Sequence, residues 1–118
     1  MKKIIFFSLL IINSSAFAQN KYNVSLIGFY NLENLYDTIN DPNKNDEEFL
    51  PNSTRQYNGR IYWDKLSRLA DVISQMGTDI TPDGLALLGV AEIENDTVLN
   101  DLVKQEKLKN RHLKYVHY

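Results

Sequence analysis

The chain has 118 residues, with 13 Lys and Arg against 15 Asp and Glu, a formal net charge of -2 and no Cys. Hydrophobic residues make up 43% and charged residues 24%, so the composition excludes wholesale disorder, and the length allows one domain at most. The lack of Cys excludes a disulfide scaffold, a Cys-ligated zinc site and a thiol nucleophile.

The first 18 residues have the three-part layout of a secretory signal peptide. A basic start over residues 1–3 precedes an apolar run over residues 4–12, and Ala16 and Ala18 place small side chains just before Gln19. We predict cleavage between Ala18 and Gln19 and a mature protein that is periplasmic or secreted. The apolar run is too short to cross about 30 Å of hydrocarbon, so we expect no permanent membrane anchor. The alternative is a buried N-terminal strand or helix.

Residues 21–32 predict a strand, and because both of its alternating faces are largely apolar we expect it to be covered on both sides. The polar residues 37–59 predict a long loop that is ordered by Phe49 and Tyr57. Residues 61–76 carry apolar side chains at spacings of three and four, which predicts a helix. Its core face is expected to hold Leu66, Leu69, Ala70, Ile73 and Met76. Its solvent face is expected to hold Lys65, Arg68, Asp71 and Gln75.

Residues 79–84 predict a turn, and the apolar run 85–91 predicts a buried strand. A second helix is expected over residues 98–108, capped by Asp96 or Thr97. Residues 109–112 predict a basic turn, and residues 113–118 predict the start of a third strand. This order of strands and helices predicts an α/β sandwich.

Two polar residues lie at the ends of the predicted strands. Asn31 is at the end of the first strand and Glu92 directly follows the second. Ligand sites of α/β proteins gather at such strand ends, so we expect the two side chains at one rim of the sheet. A carboxylate with an amide oxygen suits Mg²⁺, which takes one or two carboxylates and keeps waters or phosphate oxygens. The alternative is that both residues only cap local turns.

The segments FYNLENLYD, residues 29–37, and LLGVAEIEN, residues 87–95, resemble the first two motifs of the endonuclease/exonuclease/phosphatase superfamily. Residues 41–49 and the helix after them resemble an exported bacterial branch of it. The resemblance implies an α+β fold, in which residues 19–118 are the N-terminal part of a four-layer α/β sandwich with two packed mixed β-sheets flanked by helices. It implies that Asn31 is an active-site residue near the scissile phosphate and that Glu92 binds Mg²⁺ or Mn²⁺.

The implied activity is hydrolysis of a phosphate ester, most often a phosphodiester, and nucleic acid is one of the substrate classes. The general-base His and its partner Asp are expected beyond residue 118, so we expect this stretch alone to be inactive. His112 and His117 are not expected to replace them. One alternative is an exported non-catalytic binding protein on the same fold, and another is a small module complete at this length.

Four residues that flank the pair are candidates to orient it, with turn formation and capping as the alternative: Glu33, Asn34, Glu94 and Asn95. The loop start at Asp41 has the D-x-N-x-N pattern of a calcium loop but lacks its Gly and Glu, so we predict a solvated acidic loop. A basic cluster near the C-terminus predicts a solvated helix end, with phosphate contact as the alternative: Lys104, Lys107, Lys109, Arg111 and Lys114.

Overall fold

The computed structural model describes residues 22–111 and 113. Its strands and α-helices are β1 (Leu26–Leu35), α1 (Gly59–Gln75), β2 (Leu85–Ile93) and α2 (Asp96–Val103). Two short 3₁₀ helices span Glu47–Phe49 and Glu106–Arg111. This combination confirms the α+β class. Over this part of the chain, no helix has the length and apolar character needed to cross a membrane.

Several predictions concern residues outside the described part. The signal peptide over residues 1–18, its cleavage site at Ala18 and Gln19, and the residues His112, Lys114 and His117 all belong there. Of the predicted third strand, Leu113 alone is described, and it is not in a strand.

β1 and β2 are adjacent parallel strands, joined through α1. The predicted bounds of β1 were wrong, because its pairing with β2 begins only at Leu26 and resumes at Leu35 after an irregularity. β2 also runs beyond its predicted end, so Glu92 lies inside this strand. The extensions place Asn31 and Glu92 within the paired region, near the carboxyl ends of both strands.

The sheet is packed on one face. Leu32 and Leu35 are fully buried on the helix side, whereas Ile27, Phe29 and Leu87 are 76%, 71% and 59% exposed. Within the described residues the first strand is covered on one side, because both helices belong to the same core as Leu32 and Leu35. That its other side is also covered stays a prediction. An apolar sheet face remains open to solvent.

The core lies between the sheet and α1, and the predicted apolar face of this helix is confirmed. Leu66, Ala70 and Ile73 are buried there, together with Tyr62. The Tyr62 hydroxyl donates to Asp101 Oδ2 at 2.9 Å, and burial and this bond raise the Tyr62 pKa. The helix begins earlier than predicted, because the Asn58 side chain accepts a hydrogen bond from the Ile61 N–H and caps it.

α2 is shorter than the predicted helix over residues 98–108. Asn95 caps it, not Asp96 or Thr97, because the extended Asn95 backbone lets its Oδ1 accept the Val98 N–H at 3.0 Å. The chain then continues into the 3₁₀ helix Glu106–Arg111, which still buries Leu108.

Part of the basic cluster makes contacts within the fold. The Arg111 guanidinium donates to Ser74 O, and to Pro82 O at 3.2 Å. It therefore fastens the 3₁₀ helix to the end of α1 and to the turn before β2. Lys107 and Lys109 keep exposed ion pairs with Asp71 and Glu106. The prediction of a solvated helix end therefore fails for Arg111, because its guanidinium reaches backbone carbonyls of two other segments.

Residues 37–58 form a mostly irregular loop that Phe49 and Tyr57 order, as predicted, and the last residue of the predicted loop, Gly59, belongs to α1. The rings of Tyr36 and Phe49 stack with centroids 4.3 Å apart, and Tyr57 meets Phe49 edge-on at 5.5 Å. The Tyr57 hydroxyl donates to Tyr36 O at 3.1 Å. Burial, together with the charges of Asp37 and Glu94, raises the pKa of Tyr57 to about 12.

The prediction that this acidic loop is solvated was wrong at Asp46, which is 2% exposed. Its Oδ2 accepts the Asp41 N–H at 2.7 Å, and its carbonyl accepts the Phe49 N–H at 2.8 Å. These bonds fold the loop onto itself around the Asp46 side chain and so bury it.

Candidate functional site

Asn31 and Glu92 meet near the carboxyl edge of the two-stranded sheet. Because β1 and β2 run parallel and Asn31 pairs with Ala91, the next residue of β2 lies within reach of Asn31. The Asn31 Nδ2 donates to Glu92 Oε1 at 2.7 Å, and both side chains are exposed. The structure thus brings together the two residues on which the sequence prediction depends.

The Asn31 amide is engaged at both ends. Its Oδ1 accepts the Glu33 N–H at 2.8 Å, while its nitrogen faces Glu92. Rotating the amide by 180° would set its oxygen against the carboxylate and its NH₂ against an N–H donor, so the hydrogen bonds select one orientation. In this geometry the amide oxygen accepts a backbone N–H with one of its two lone pairs. That it joins the Glu92 carboxylate in binding Mg²⁺ stays a prediction.

The backbone around the pair adopts left-handed conformations without glycine. Glu33, Asn34 and Glu92 have φ of 51°, 57° and 58°, and they are three of the four non-glycine residues with positive φ among those described. The left-handed region costs about 1–2 kcal/mol for a residue such as Glu and less for Asn. Such outliers concentrate at functional sites, where the surrounding structure holds them in place.

Lys65 on α1 supports this strained turn. Its Nζ donates to Glu33 O at 2.5 Å and to Asn34 O at 2.9 Å. Burial lowers the pKa of Lys65, and the carboxylates of Glu33 and Glu92 partly oppose that shift. The prediction that Lys65 faces solvent was wrong, because its long side chain reaches back to the sheet and is half-buried. No sequence pattern signals this residue, since its partners are backbone carbonyls.

A groove of about 430 Å³ opens beside Asn31, between β1 and α1. Tyr30, Ile61, Lys65 and Leu69 contribute to its walls. Its lining also includes the polar and charged residues Asn31, Glu33, Asp64 and Arg68.

Glu94 and Asn95 turn toward the loop and α2. Glu94 is 3% exposed, its Oε2 accepts the Asp37 N–H at 2.9 Å, and its carbonyl accepts a bond from Lys44 Nζ. Burial raises the pKa of Glu94, and the hydrogen bond from Asp37 opposes that shift. The charges of Asp37 and Asp46 raise this pKa further, whereas Lys44 lowers it. These groups fasten residues 37–46 to the end of β2.

The four flanking candidates thus lie in two places. Glu33 and Asn34 form the strained turn that contacts Asn31 and Lys65 through the backbone, whereas Glu94 contacts the loop and Asn95 caps α2. That all four orient the pair stays a prediction.

At the pair, the exposed Glu92 carboxylate is the charged group that would hold a divalent cation of the Mg²⁺ type. Within residues 22–111 and 113, no group of three or more His, Asp or Glu side chains is placed to hold a metal ion. A single exposed carboxylate is nevertheless compatible with Mg²⁺, which takes few protein oxygens and fills its remaining positions with water or substrate phosphate.

A family model described as "Endonuclease/Exonuclease/phosphatase family" matches residues 26–118. The matched range includes both strands, α1 and the Asn31–Glu92 pair. No curated protein and no solved structure matches the chain significantly.

Proposed function

The chain belongs to the endonuclease/exonuclease/phosphatase family, and on that premise we propose that it takes part in Mg²⁺- or Mn²⁺-dependent hydrolysis of a phosphodiester. The family comprises phosphoesterase and nuclease-type hydrolases. The observation that carries the proposal is the 2.7 Å hydrogen bond between Asn31 Nδ2 and Glu92 Oε1, at a strained and exposed strand end.

In this proposal the two residues have different tasks. Glu92 would hold the cation, which when bound stabilises negative charge on phosphoryl oxygens and on the leaving group. Asn31 orients the Glu92 carboxylate through Nδ2 and is itself held by the Glu33 N–H. Glu94 is kept from the site by burial under the loop, which leaves Glu92 as the exposed carboxylate of this strand end.

The proposal extends to fold and location. The open apolar face of Ile27, Phe29 and Leu87 supports a four-layer sandwich, because a second sheet packed there would bury these side chains. The layout of residues 1–18 supports export to the periplasm or the medium. A phosphate ester is the proposed partner, and nucleic acid is one substrate class to assay.

The test is Glu92→Gln in the full-length protein, with hydrolysis of bis(p-nitrophenyl) phosphate measured across a Mg²⁺ titration. Loss of the carboxylate charge is expected to lower activity by about 100-fold or more, by analogy with the loss of one oxyanion-hole donor, which costs about 2.7–4 kcal/mol. Glu47→Gln, which neutralises an exposed carboxylate on the loop, is the matched control and is expected to keep full activity. Intact Mg²⁺-dependent activity in Glu92→Gln would contradict the assignment of Glu92.

A further inference from the structure

Lys65 is the one side chain of α1 that bonds to the turn between Asn31 and Leu35, as far as the structure describes the chain. Its ammonium donates to two consecutive carbonyls, those of Glu33 and Asn34, at 2.5 and 2.9 Å. These carbonyls lie where the ladder between β1 and β2 is interrupted, between the paired residues Asn31 and Leu35. Lys65 thus supplies donors that β2 does not supply at this point.

The turn needs such a support. Glu33 and Asn34 both adopt the left-handed conformation, which costs about 1–2 kcal/mol at Glu33 and less at Asn34, because Asn tolerates this region better than other residues with a side chain. Bonds from a charged donor to both carbonyls offset part of this cost, because charge-assisted hydrogen bonds are about twice as strong as neutral ones.

Lys65 is connected to the Asn31–Glu92 pair by a continuous chain of hydrogen bonds. Lys65 holds the Glu33 carbonyl, the N–H of the same residue donates to Asn31 Oδ1, and Asn31 Nδ2 donates to Glu92. Each link is 2.5–2.8 Å long. If the turn relaxed, the Glu33 N–H would leave Asn31, and the amide would lose the contact that selects its orientation.

We propose that Lys65 is a positioning residue, which acts through the backbone of Glu33 to fix the Asn31 amide toward Glu92. The catalytic meaning of this role rests on the proposed function, but the geometric claim does not. Within the described residues, Lys65 makes no hydrogen bond to the Glu92 carboxylate or to the Asn31 amide, so its effect on the pair is carried by the intervening turn.

The test compares Lys65→Met with Lys65→Arg in the full-length protein. Methionine keeps the length and apolar stem of the side chain but removes the donors, whereas arginine keeps donors and charge. Lys107→Met is the matched control, because it removes an ammonium whose exposed ion pair with Asp71 lies away from the turn. The first readout is the pair of side-chain NH₂ signals of Asn31 in ¹H–¹⁵N spectra, assigned by their loss in Asn31→Ala.

We expect Lys65→Met to shift these signals toward those of a solvent-exposed Asn and to lower kcat by about 10–100-fold, the range found for residues that orient active groups. KM is expected to change by less than about twofold, because the substrate contacts are not removed. Lys65→Arg should keep the Asn31 signals and kcat closer to those of the wild type than Lys65→Met does, and Lys107→Met should resemble the wild type.

Unchanged Asn31 signals in a folded Lys65→Met variant would overturn the inference, and so would an equal loss in Lys107→Met. A fall in thermal stability without movement of these signals would likewise overturn it, because it would show a structural role only. If the wild type lacks Mg²⁺-dependent hydrolysis, the proposed function fails, and the Asn31 signals alone then decide the role of Lys65.

Discussion

Replacing Glu92 by Gly is expected to give a more stable protein than replacing it by Ala. Both variants remove the carboxylate and its hydrogen bond with Asn31, so their difference isolates the backbone at φ 58°. Relief of the left-handed strain favours Gly by about 1–2 kcal/mol. The greater entropy of Gly in the unfolded chain opposes this by about 0.5–1 kcal/mol. The expected net advantage of Gly is therefore about 0.75 kcal/mol, the middle of a range of about 0–1.5 kcal/mol.

The measurement is urea denaturation of both variants, followed by circular dichroism, with the m-values compared to exclude a changed unfolded state. The neighbouring Ala91→Gly is the control, because Ala91 is in the same strand and lacks a positive φ. It should lose about 0.5–1 kcal/mol, the usual cost of Gly in a strand. The strain argument fails if Glu92→Ala is as stable as Glu92→Gly, or if Gly is favoured equally at both positions.

Three further predictions concern the scaffold. Leu66→Ala should lower the free energy of unfolding by about 2–5 kcal/mol, because Leu66 is fully buried. Val72→Ala should lower it by less than about 1 kcal/mol, because Val72 is 42% exposed. Equal losses would contradict the packing. Gly84→Ala should destabilise the protein by about 1–3 kcal/mol, because φ at Gly84 is 66° and an added Cβ would lie 2.7 Å from Met76 O. Gly59→Ala should stabilise it by up to about 1 kcal/mol, because an added Cβ at the start of α1 meets nothing within 4 Å. Thermal melts that reverse this order would refute the prediction. The pKa of Tyr57 is raised to about 12 from the ordinary 10, so this residue stabilises the fold below pH 10, and the contribution is lost as the pH rises through 12. In alkaline denaturation, Tyr57→Phe should therefore lose less stability between pH 10 and 12 than the wild type. An identical loss would show that another group is responsible.

The main features of the site follow from the order of residues along the chain. Asn31 and Glu92 end two apolar runs on either side of an amphipathic helix, and a strand–helix–strand unit forms parallel strands whose ends meet at one edge. The apolar periodicity of α1 likewise predicts which of its residues are buried, because that pattern depends only on helical geometry.

Other features depend on contacts between distant segments, which local sequence patterns do not predict. Helical periodicity places Lys65 on the solvent face, yet its flexible side chain reaches the carbonyls of Glu33 and Asn34, two residues in the left-handed conformation. Asp46 belongs to a polar loop, yet it is buried and accepts hydrogen bonds from the backbone N–H groups of Asp41 and Phe49. Periodicity reports which side of an element a Cα faces. Where a long side chain ends, and which backbone groups are left for it to bond, are set by the packing of one segment on another.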